Sequence, residues 1–308
     1  MISRRNIRVK VMQTLYTVDA LEQGMKPGEP VKLLQKHFDE SRGLLIYLIE
    51  FLNQVLSYAE TDAHHRASKH LPSAHDLNVN TKIAGNELLW RIKEDASFTA
   101  ARDSEKMVKR MDKDLVRRIY VQLTESQEYK TYIATPERNK EAEKAIVQHV
   151  WENMMLPNEA FLGHIEELYM NWDDDGEMVI QLFQMYLAKP GTFDFRTLIS
   201  AEKWSFAKGL LLAVLEKAEH LETFIHPRLQ NWDAERIAVL DMILMKMGVA
   251  EFLYFDTIPP KVTINEYIDL AKEYSTAQSG QFVNGILDNI HKELVQTGKL
   301  HKTDFRKA

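Results

Sequence analysis

Apolar residues recur at three- and four-residue intervals along nearly the whole chain, the period of one buried face of an α-helix. Ile7, Val11, Leu15 and Val18 form the first stripe, with Ser3 placed as an N-cap. Val108, Met111, Leu115, Ile119 and Leu123 form another, beginning at Met107. The same spacing predicts helices over 31–60, 82–97, 104–130, 137–154, 158–171, 177–189 and 201–224. No run of strict alternation suggests a strand, so the expected class is all-α. The densest apolar stretch, Leu44 to Phe51 with Leu52, Val55 and Leu56 behind it, contains Glu50 and falls short of the ~20 residues that span a bilayer. It reads as a helix buried in a core.

The C-terminal third carries the clearest punctuation. Asp233 is placed to cap a helix, with Trp232 and Ile237 as a hydrophobic staple. Ile237, Leu240, Leu244 and Met247 supply that helix's buried face, and Gly248 stands where a left-handed C-cap belongs. Pro259 and Pro260 interrupt. Thr263 and Glu266 then match a capping box, with Val262 and Tyr267 as its staple. Phe282, Ile286, Ile290 and Leu294 form the last stripe, which Gly298 can end. Gly285 within it costs about 1 kcal/mol relative to alanine, and a second helix approaching closely would justify it.

Composition narrows the function. With 308 residues, 45% of them hydrophobic, the chain can bury a large core. It has no cysteine, which excludes disulfides, cysteine-ligated zinc and thiol catalysis and fits a reducing compartment. The opening MISRRNIRVK is followed by no long apolar run, so no signal peptide or membrane association is expected and the location is read as cytoplasmic. The net charge of −6 argues against a globally basic nucleic-acid binder. Its distribution changes that picture. Residues 1–23 and 200–308 together carry 17 basic and 17 acidic groups, so the whole −6 lies in residues 24–199. Any affinity for RNA must come from a local patch.

Several clusters have a plain reading beside a chemical one. Asn171-Trp172-Asp173-Asp174-Asp175-Gly176 partly matches a calcium loop, but Asn171 and Leu182 occupy positions one and twelve, where an acid and a bidentate glutamate are needed. A turn leading into the next helix fits better. His64, His65, His70 and His75 lie in a polar stretch without the pairing a metal site requires, and no metal or other cofactor is expected. No phosphate loop, dinucleotide fingerprint or nucleophile elbow is present, so no catalytic residue is assigned and the protein is not read as an enzyme. Arg102, Lys106, Lys109, Arg110, Lys113, Arg117 and Arg118 intermingle with Asp103, Glu105, Asp112 and Asp114, the pattern of a solvated helix face. Arg4, Arg5, Arg8 and Lys10 differ, because the nearest acids in sequence, Asp19 and Glu22, lie more than a turn away. Those four are the basic cluster least compensated by its sequence neighbours, and guanidinium groups suit phosphate.

Two separated blocks resemble the NusB family. The first is Arg4-Arg5-Asn6-Ile7-Arg8 leading to Gln13-Thr14-Leu15-Tyr16. The second runs Ile258-Pro259-Pro260-Lys261-Val262-Thr263-Ile264-Asn265-Glu266, then Asp269-Leu270-Ala271-Lys272, then Phe282-Val283-Asn284-Gly285-Ile286-Leu287-Asp288. The resemblance covers roughly 1–23 and 200–297. It departs at Asp241, where the family often places arginine, and at Ser275 to Gln278, which replace a Phe-Gly turn.

The resemblance implies a NusB-like two-bundle helical fold with a large helical insertion in the N-terminal half. One subdomain would be 1–23 plus 200–225, the insertion 24–199, and the C-terminal subdomain 226–308. It implies a transcription antitermination factor that binds single-stranded boxA-like leader RNA together with NusE, the small-subunit ribosomal protein. That complex would act on RNA polymerase in ribosomal RNA operons. It places Arg4, Arg5, Arg8, Lys10, Lys261, Gln281 and Phe282 on the RNA path, and Tyr16 and Glu235 against NusE. Two other readings stay open: a helical protein-interaction scaffold that has lost RNA binding, and an accessory module to an RNA-modifying enzyme. RNA binding with and without NusE separates the scaffold from the main reading.

Overall fold

The computed structural model describes residues 2–21, 24–229 and 237–303. Every regular element among them is helical, and none is a strand. The chain divides into two compact units, Asp39–Leu198 and a second made of Ile2–Phe38 with Ile199–Ala308.

The second unit begins with α1 (Arg4–Asp19). Ser3 is its N-cap, and the Ser3 hydroxyl accepts a hydrogen bond from the Asn6 amide, as the sequence predicts. Helix α2 (Glu29–Ala67) contributes its first turns here and the remainder to the other unit. Helices α3 (Ala74–Leu77), α4 (Glu87–Glu94), α5 (Ala96–Ser104), α6 (Lys113–Glu125), α7 (Gln127–Ala134), α8 (Lys140–His149), α9 (Glu159–Leu168) and α10 (Trp172–Ala188) follow in the Asp39–Leu198 unit. The chain returns to the second unit with α11 (Ala201–Glu216), α12 (Ala218–Ile225), α13 (Val239–Tyr254), α14 (Pro260–Tyr274) and α15 (Ser279–Gln296).

In the Asp39–Leu198 unit, α2 is the central post. Leu44 to Asn53 are all buried, so every side of the helix is covered there. Phe51 packs on Phe161 of α9 with ring centroids 4.8 Å apart, and Tyr58 on Tyr120 of α6 at 5.2 Å. The Ser41 hydroxyl donates to Asp175 of α10 at 2.6 Å. The buried-core reading of 44–56 therefore holds, and no described helix is long and apolar enough to cross a membrane. Glu50 is tolerated in this post because the Gln54 side-chain amide donates to it at 2.5 Å. Burial still raises the Glu50 carboxyl above the usual range, against the lowering effect of Gln54 and Arg102.

Several expected boundaries shift for local reasons. The stretch 104–130 is not one helix. Lys106 adopts a left-handed conformation (φ +54°), a 3-10 turn covers Met107–Arg110, and Asp112 and Ser126 each cap a new helix through their side chains. The aspartate-rich stretch enters α10 at Trp172, five residues earlier than predicted, and places Asp173, Asp174 and Asp175 in its first turn. Carboxylates there complement the helix dipole. Among the described residues, no group of three or more histidine, aspartate or glutamate side chains is placed to hold a metal ion.

The C-terminal helices depart more. The cap at Asp233 and the Trp232 half of its staple lie outside the described residues. Gly248 is not a C-cap; it lies inside α13, which runs on to Tyr254. Gly285 has no neighbour where a Cβ would stand, so close approach does not explain it. The close approach occurs at Gly248, where a Cβ would lie 2.9 Å from both methyls of Leu287 and 3.4 Å from Tyr267. Leu287 and Tyr267 are fully buried and have no room to retreat. Gly248→Ala should therefore lose about 1–2 kcal/mol, the overpacking cost exceeding the gain in helix propensity. Equilibrium unfolding in urea measures this, and a more stable variant would show that Leu287 yields freely.

The capping box also fails. Pro260 starts α14 at N1, where its missing amide costs nothing, and Thr263 and Glu266 serve other partners. The two departures from the NusB pattern meet in space. Asp241 is buried and accepts a hydrogen bond from Ser279 at 2.8 Å, while Ser279 also bonds Ser275 at 3.0 Å and Thr276 at 2.8 Å. They form one polar constellation at the start of α15.

Candidate nucleic-acid interface

Helix α1 packs on α11 and α13, and α13 in turn packs on α12, α14 and α15. This arrangement decides which of the N-terminal cations can reach a ligand. Its centre is Glu251 of α13, which is completely buried. The Arg8 guanidinium donates to both Glu251 oxygens, Nε to Oε1 at 2.7 Å and a terminal nitrogen to Oε2 at 3.0 Å. The Tyr267 hydroxyl donates to Oε1 at 2.8 Å and the Thr263 hydroxyl to Oε2 at 2.9 Å. Four donors thus saturate one carboxylate, and Glu266 adds a second negative charge 3.3 Å from Arg8. Burial alone would depress the Arg8 guanidinium, but the Glu251 hydrogen bonds and the charges around it outweigh that and raise it. Burial, reinforced by Glu251, pushes the Tyr267 hydroxyl well above its ordinary range, so it remains a donor.

Arg8 is consequently 2% exposed, and Lys10 is likewise 2% exposed. The expectation that both face phosphate is corrected. Arg8 neutralises an internal carboxylate supplied from 243 residues away, and Lys10 is enclosed within the unit. Arg4 and Arg5 remain accessible but are not free of acids. Arg4 lies 3.5 Å from Glu202, and Arg5 lies 2.7 Å from Glu273 and 3.9 Å from Asp269. At this exposure such pairs are weak and exchangeable.

The remaining candidates fall at two ends of α14. Lys261 is exposed at its first turn. Arg5 meets Glu273 near its last turn, roughly 18 Å along the axis from Lys261 at 1.5 Å per residue. Gln281 and Phe282 open α15 just beyond that last turn, Gln281 exposed and Phe282 half-buried. Gly280 sits close against Lys272, which fixes the start of α15 beside the end of α14. Arg5, Gln281 and Phe282 therefore share one end of the α14–α15 pair, while Lys261 stands at the other. Tyr16, near the end of α1 and off its buried stripe, is 50% exposed. Glu235 lies outside the described residues.

Sequence reasoning undervalued one group. In the basic run 102–118, Arg102 pairs with Asp103, but Lys106, Lys109, Arg110, Lys113, Arg117 and Arg118 are all exposed. Among the described residues none of these six has a carboxylate within 4.0 Å. The signal was present as density of cations, and it was hidden by counting acids adjacent in sequence.

Comparison with known proteins agrees with the C-terminal blocks. The NusB family model matches residues 165–292. Transcription antitermination protein NusB of Chloroherpeton thalassium is 44% identical over 98 residues, 32% of this chain and 46% of that protein. The protein of the same name from Salinibacter ruber is 42% identical over 98 residues, 32% of this chain and 61% of that one. That of Methylacidiphilum infernorum is 40% identical over 101 residues, 33% of this chain and 70% of its own length. The matched region thus spans less than two thirds of the first two relatives. The solved T. maritima NusB aligns with 40% of this chain and 82% of its own at 29% identity, with a TM-score of 0.30. On the identity and coverage of these relatives, the chain belongs to the NusB family.

Proposed function

We propose that this protein is a cytoplasmic, non-enzymatic transcription antitermination factor. In this reading it binds boxA-like leader RNA together with NusE and acts within the RNA polymerase antitermination complex to promote transcription of ribosomal RNA operons. The observation that carries the proposal is the 40–44% identity of its C-terminal third to three proteins named transcription antitermination protein NusB. Residues 24–199 are an enlargement of that factor, between a first subdomain of 1–23 plus 200–225 and a second of 226–308. The compact Asp39–Leu198 unit lies within the enlargement, while Ile2–Phe38 and Ile199–Ala308 form a single unit and the family match begins at residue 165.

The RNA path in this proposal uses Arg4, Arg5, Gln281 and Phe282, with Lys261 as an outlying contact. Cations hold phosphates, and the half-buried Phe282 ring offers a stacking edge to an unstacked base. Arg8 and Lys10 support the path from inside. Tyr16 and Glu235 dock NusE.

A gel shift with boxA-like RNA, with and without NusE from the same source, tests the reading. Arg4→Ala/Arg5→Ala should weaken binding and flatten the salt dependence by about 0.7 per lost phosphate contact. Tyr16→Ala should lower NusE capture while leaving the fold intact. Absence of any boxA complex, with NusE present, would favour the protein-scaffold reading instead.

A further inference from the structure

The Asp39–Leu198 unit belongs to the acidic part of the chain, yet it exposes a dense run of cations that lack a carboxylate within ion-pair distance. Met107 and Met111 are buried, which turns Val108, Lys109 and Arg110 outward on the 3-10 turn between them. The left-handed Lys106 begins that turn. Helix α6 then buries Leu115, Val116, Ile119, Tyr120 and Leu123, which leaves Lys113, Arg117 and Arg118 facing water. Six exposed cations stand in the thirteen residues 106–118. Two acids lie among them. The Asp112 carboxylate is occupied in capping α6 through the Leu115 amide at 2.9 Å, Asp114 opposes the strip, and Glu105, paired with Arg42 just before it, also acts on Arg110.

Elsewhere on this unit arginines of comparable exposure have carboxylates in reach. Arg91 pairs with Glu87, Arg138 with Glu143 and Arg196 with Asp194. The strip lacks that compensation, and Lys113 with Arg117 is a like-charge i,i+4 pair that weakens its own helix. A dense run of exposed cations without ion-pair partners is the footprint of a polyanion. An acidic protein partner fits less well. Protein interfaces centre on aromatic or large apolar anchors; within residues 106–121 the exposed large apolar side chains are two valines, Val108 and Val121, and beyond them Met170 adjoins Tyr169, on whose ring Arg110 stacks. Phosphates need no such anchor.

We propose that Lys106, Lys109, Arg110, Lys113, Arg117 and Arg118 form a sequence-independent binding strip for single-stranded RNA. The choice of RNA as the polyanion rests on the function proposed above; the strip itself does not. Its role would be to hold RNA flanking a specific element through phosphates alone, giving the enlarged chain a second, non-specific grip.

The test uses the full chain and a uridine homopolymer that contains no boxA, titrated by fluorescence anisotropy across a salt series. The unaltered protein should bind it with strong salt dependence. Lys109→Glu/Lys113→Glu/Arg117→Glu should abolish most of that binding and reduce the salt slope by about 2, at about 0.7 per phosphate contact. Lys109→Ala/Lys113→Ala/Arg117→Ala should produce the same direction of change without added repulsion, and Lys109→Arg/Lys113→Arg should restore binding. A short boxA RNA should bind these variants as it binds the unaltered protein. Failure of the unaltered protein to bind the homopolymer, or equal affinity and slope in the alanine variant, overturns the strip while leaving the boxA reading standing. Competition by polyglutamate as effective as by RNA would overturn RNA in favour of an acidic protein. Loss of boxA binding with homopolymer binding intact would instead refute the proposed function alone.

Discussion

Glu251→Ala should be the most damaging single substitution in the second unit, lowering its stability by about 3–5 kcal/mol. The carboxylate is the common acceptor for Arg8, Thr263 and Tyr267, drawn from α1 and from two turns of α14, and it is completely buried. Its removal leaves a buried guanidinium and two buried hydroxyls without their acceptor. Glu251→Gln should cost nearly as much, because the amide nitrogen presents hydrogens to the donors that faced an oxygen. Arg8→Ala leaves the mirror-image fault, a buried carboxylate without its cation. Arg8→Lys should not rescue, since an ammonium cannot supply the forked, two-oxygen geometry. Removing both charges in Arg8→Ala/Glu251→Ala should be less destabilising than the sum of the two alanine singles, since neither charge is then stranded. Urea unfolding of the four proteins of this cycle measures the coupling, and strict additivity would show that the two residues do not act as a pair.

This network explains where sequence reading of the site stopped. Within α1, Arg4, Arg5, Arg8 and Lys10 stand apart from acids, and that is why they read as a free cationic patch. Their partners arrive from Glu202, Glu251, Glu266, Asp269 and Glu273, all roughly two hundred or more residues away. Charge compensation is a property of space, and the chain separation of a compensating pair is unconstrained once helices pack. The 106–118 run shows the converse. Its sequence neighbours include acids, but local geometry sends Asp112 to a cap and Glu105 to an ion pair with Arg42, from which it acts on Arg110 only at longer range, and the cations stay exposed. Patterns within one helix were more legible. The Ser3 cap, the wholly buried middle of α2 and the apolar stripe of α15 all follow from periodicity and local hydrogen bonding. The capping box at Thr263 and Glu266 misled because a buried carboxylate and a buried guanidinium had a stronger claim on those side chains.

Membership in the NusB family and the buried Arg8 together alter how the arginine-rich opening is to be interpreted. A helix carrying Arg4, Arg5 and Arg8 presents two of them to solvent and directs the third inward. Loss of RNA binding on replacing Arg8 would therefore report loss of fold rather than a lost phosphate contact. Salt dependence separates the two, since only a phosphate contact changes the slope.

Glu143→Ala is expected to be the corresponding lesion in the Asp39–Leu198 unit, costing about 3 kcal/mol as two buried donors lose their acceptor. Glu143 is 2% exposed on α8. Its Oε2 accepts the backbone amide of Glu87 at 2.8 Å, and its Oε1 accepts the Tyr132 hydroxyl at 2.7 Å. Burial, reinforced by Glu143, raises the Tyr132 hydroxyl above its ordinary range, so it stays protonated and keeps donating. The carboxylate thereby caps α4 from 56 residues away while tying α7 to α8. Asn86 completes the cap, its side chain accepting from Leu88 and Leu89 and donating to the Glu143 carbonyl at 2.9 Å. Arg138 also touches Glu143 at 3.1 Å, but it is 46% exposed, so Arg138→Ala should cost less than about 1 kcal/mol. Glu143→Gln keeps one carbonyl acceptor for two donors and should fall between these values. Hydrogen exchange locates the effect: in Glu143→Ala, amides at the start of α4 should lose protection more than those of α10. Uniform loss of protection across the unit, with no excess at α4, would mean that the carboxylate acts through general packing rather than as a long-range cap.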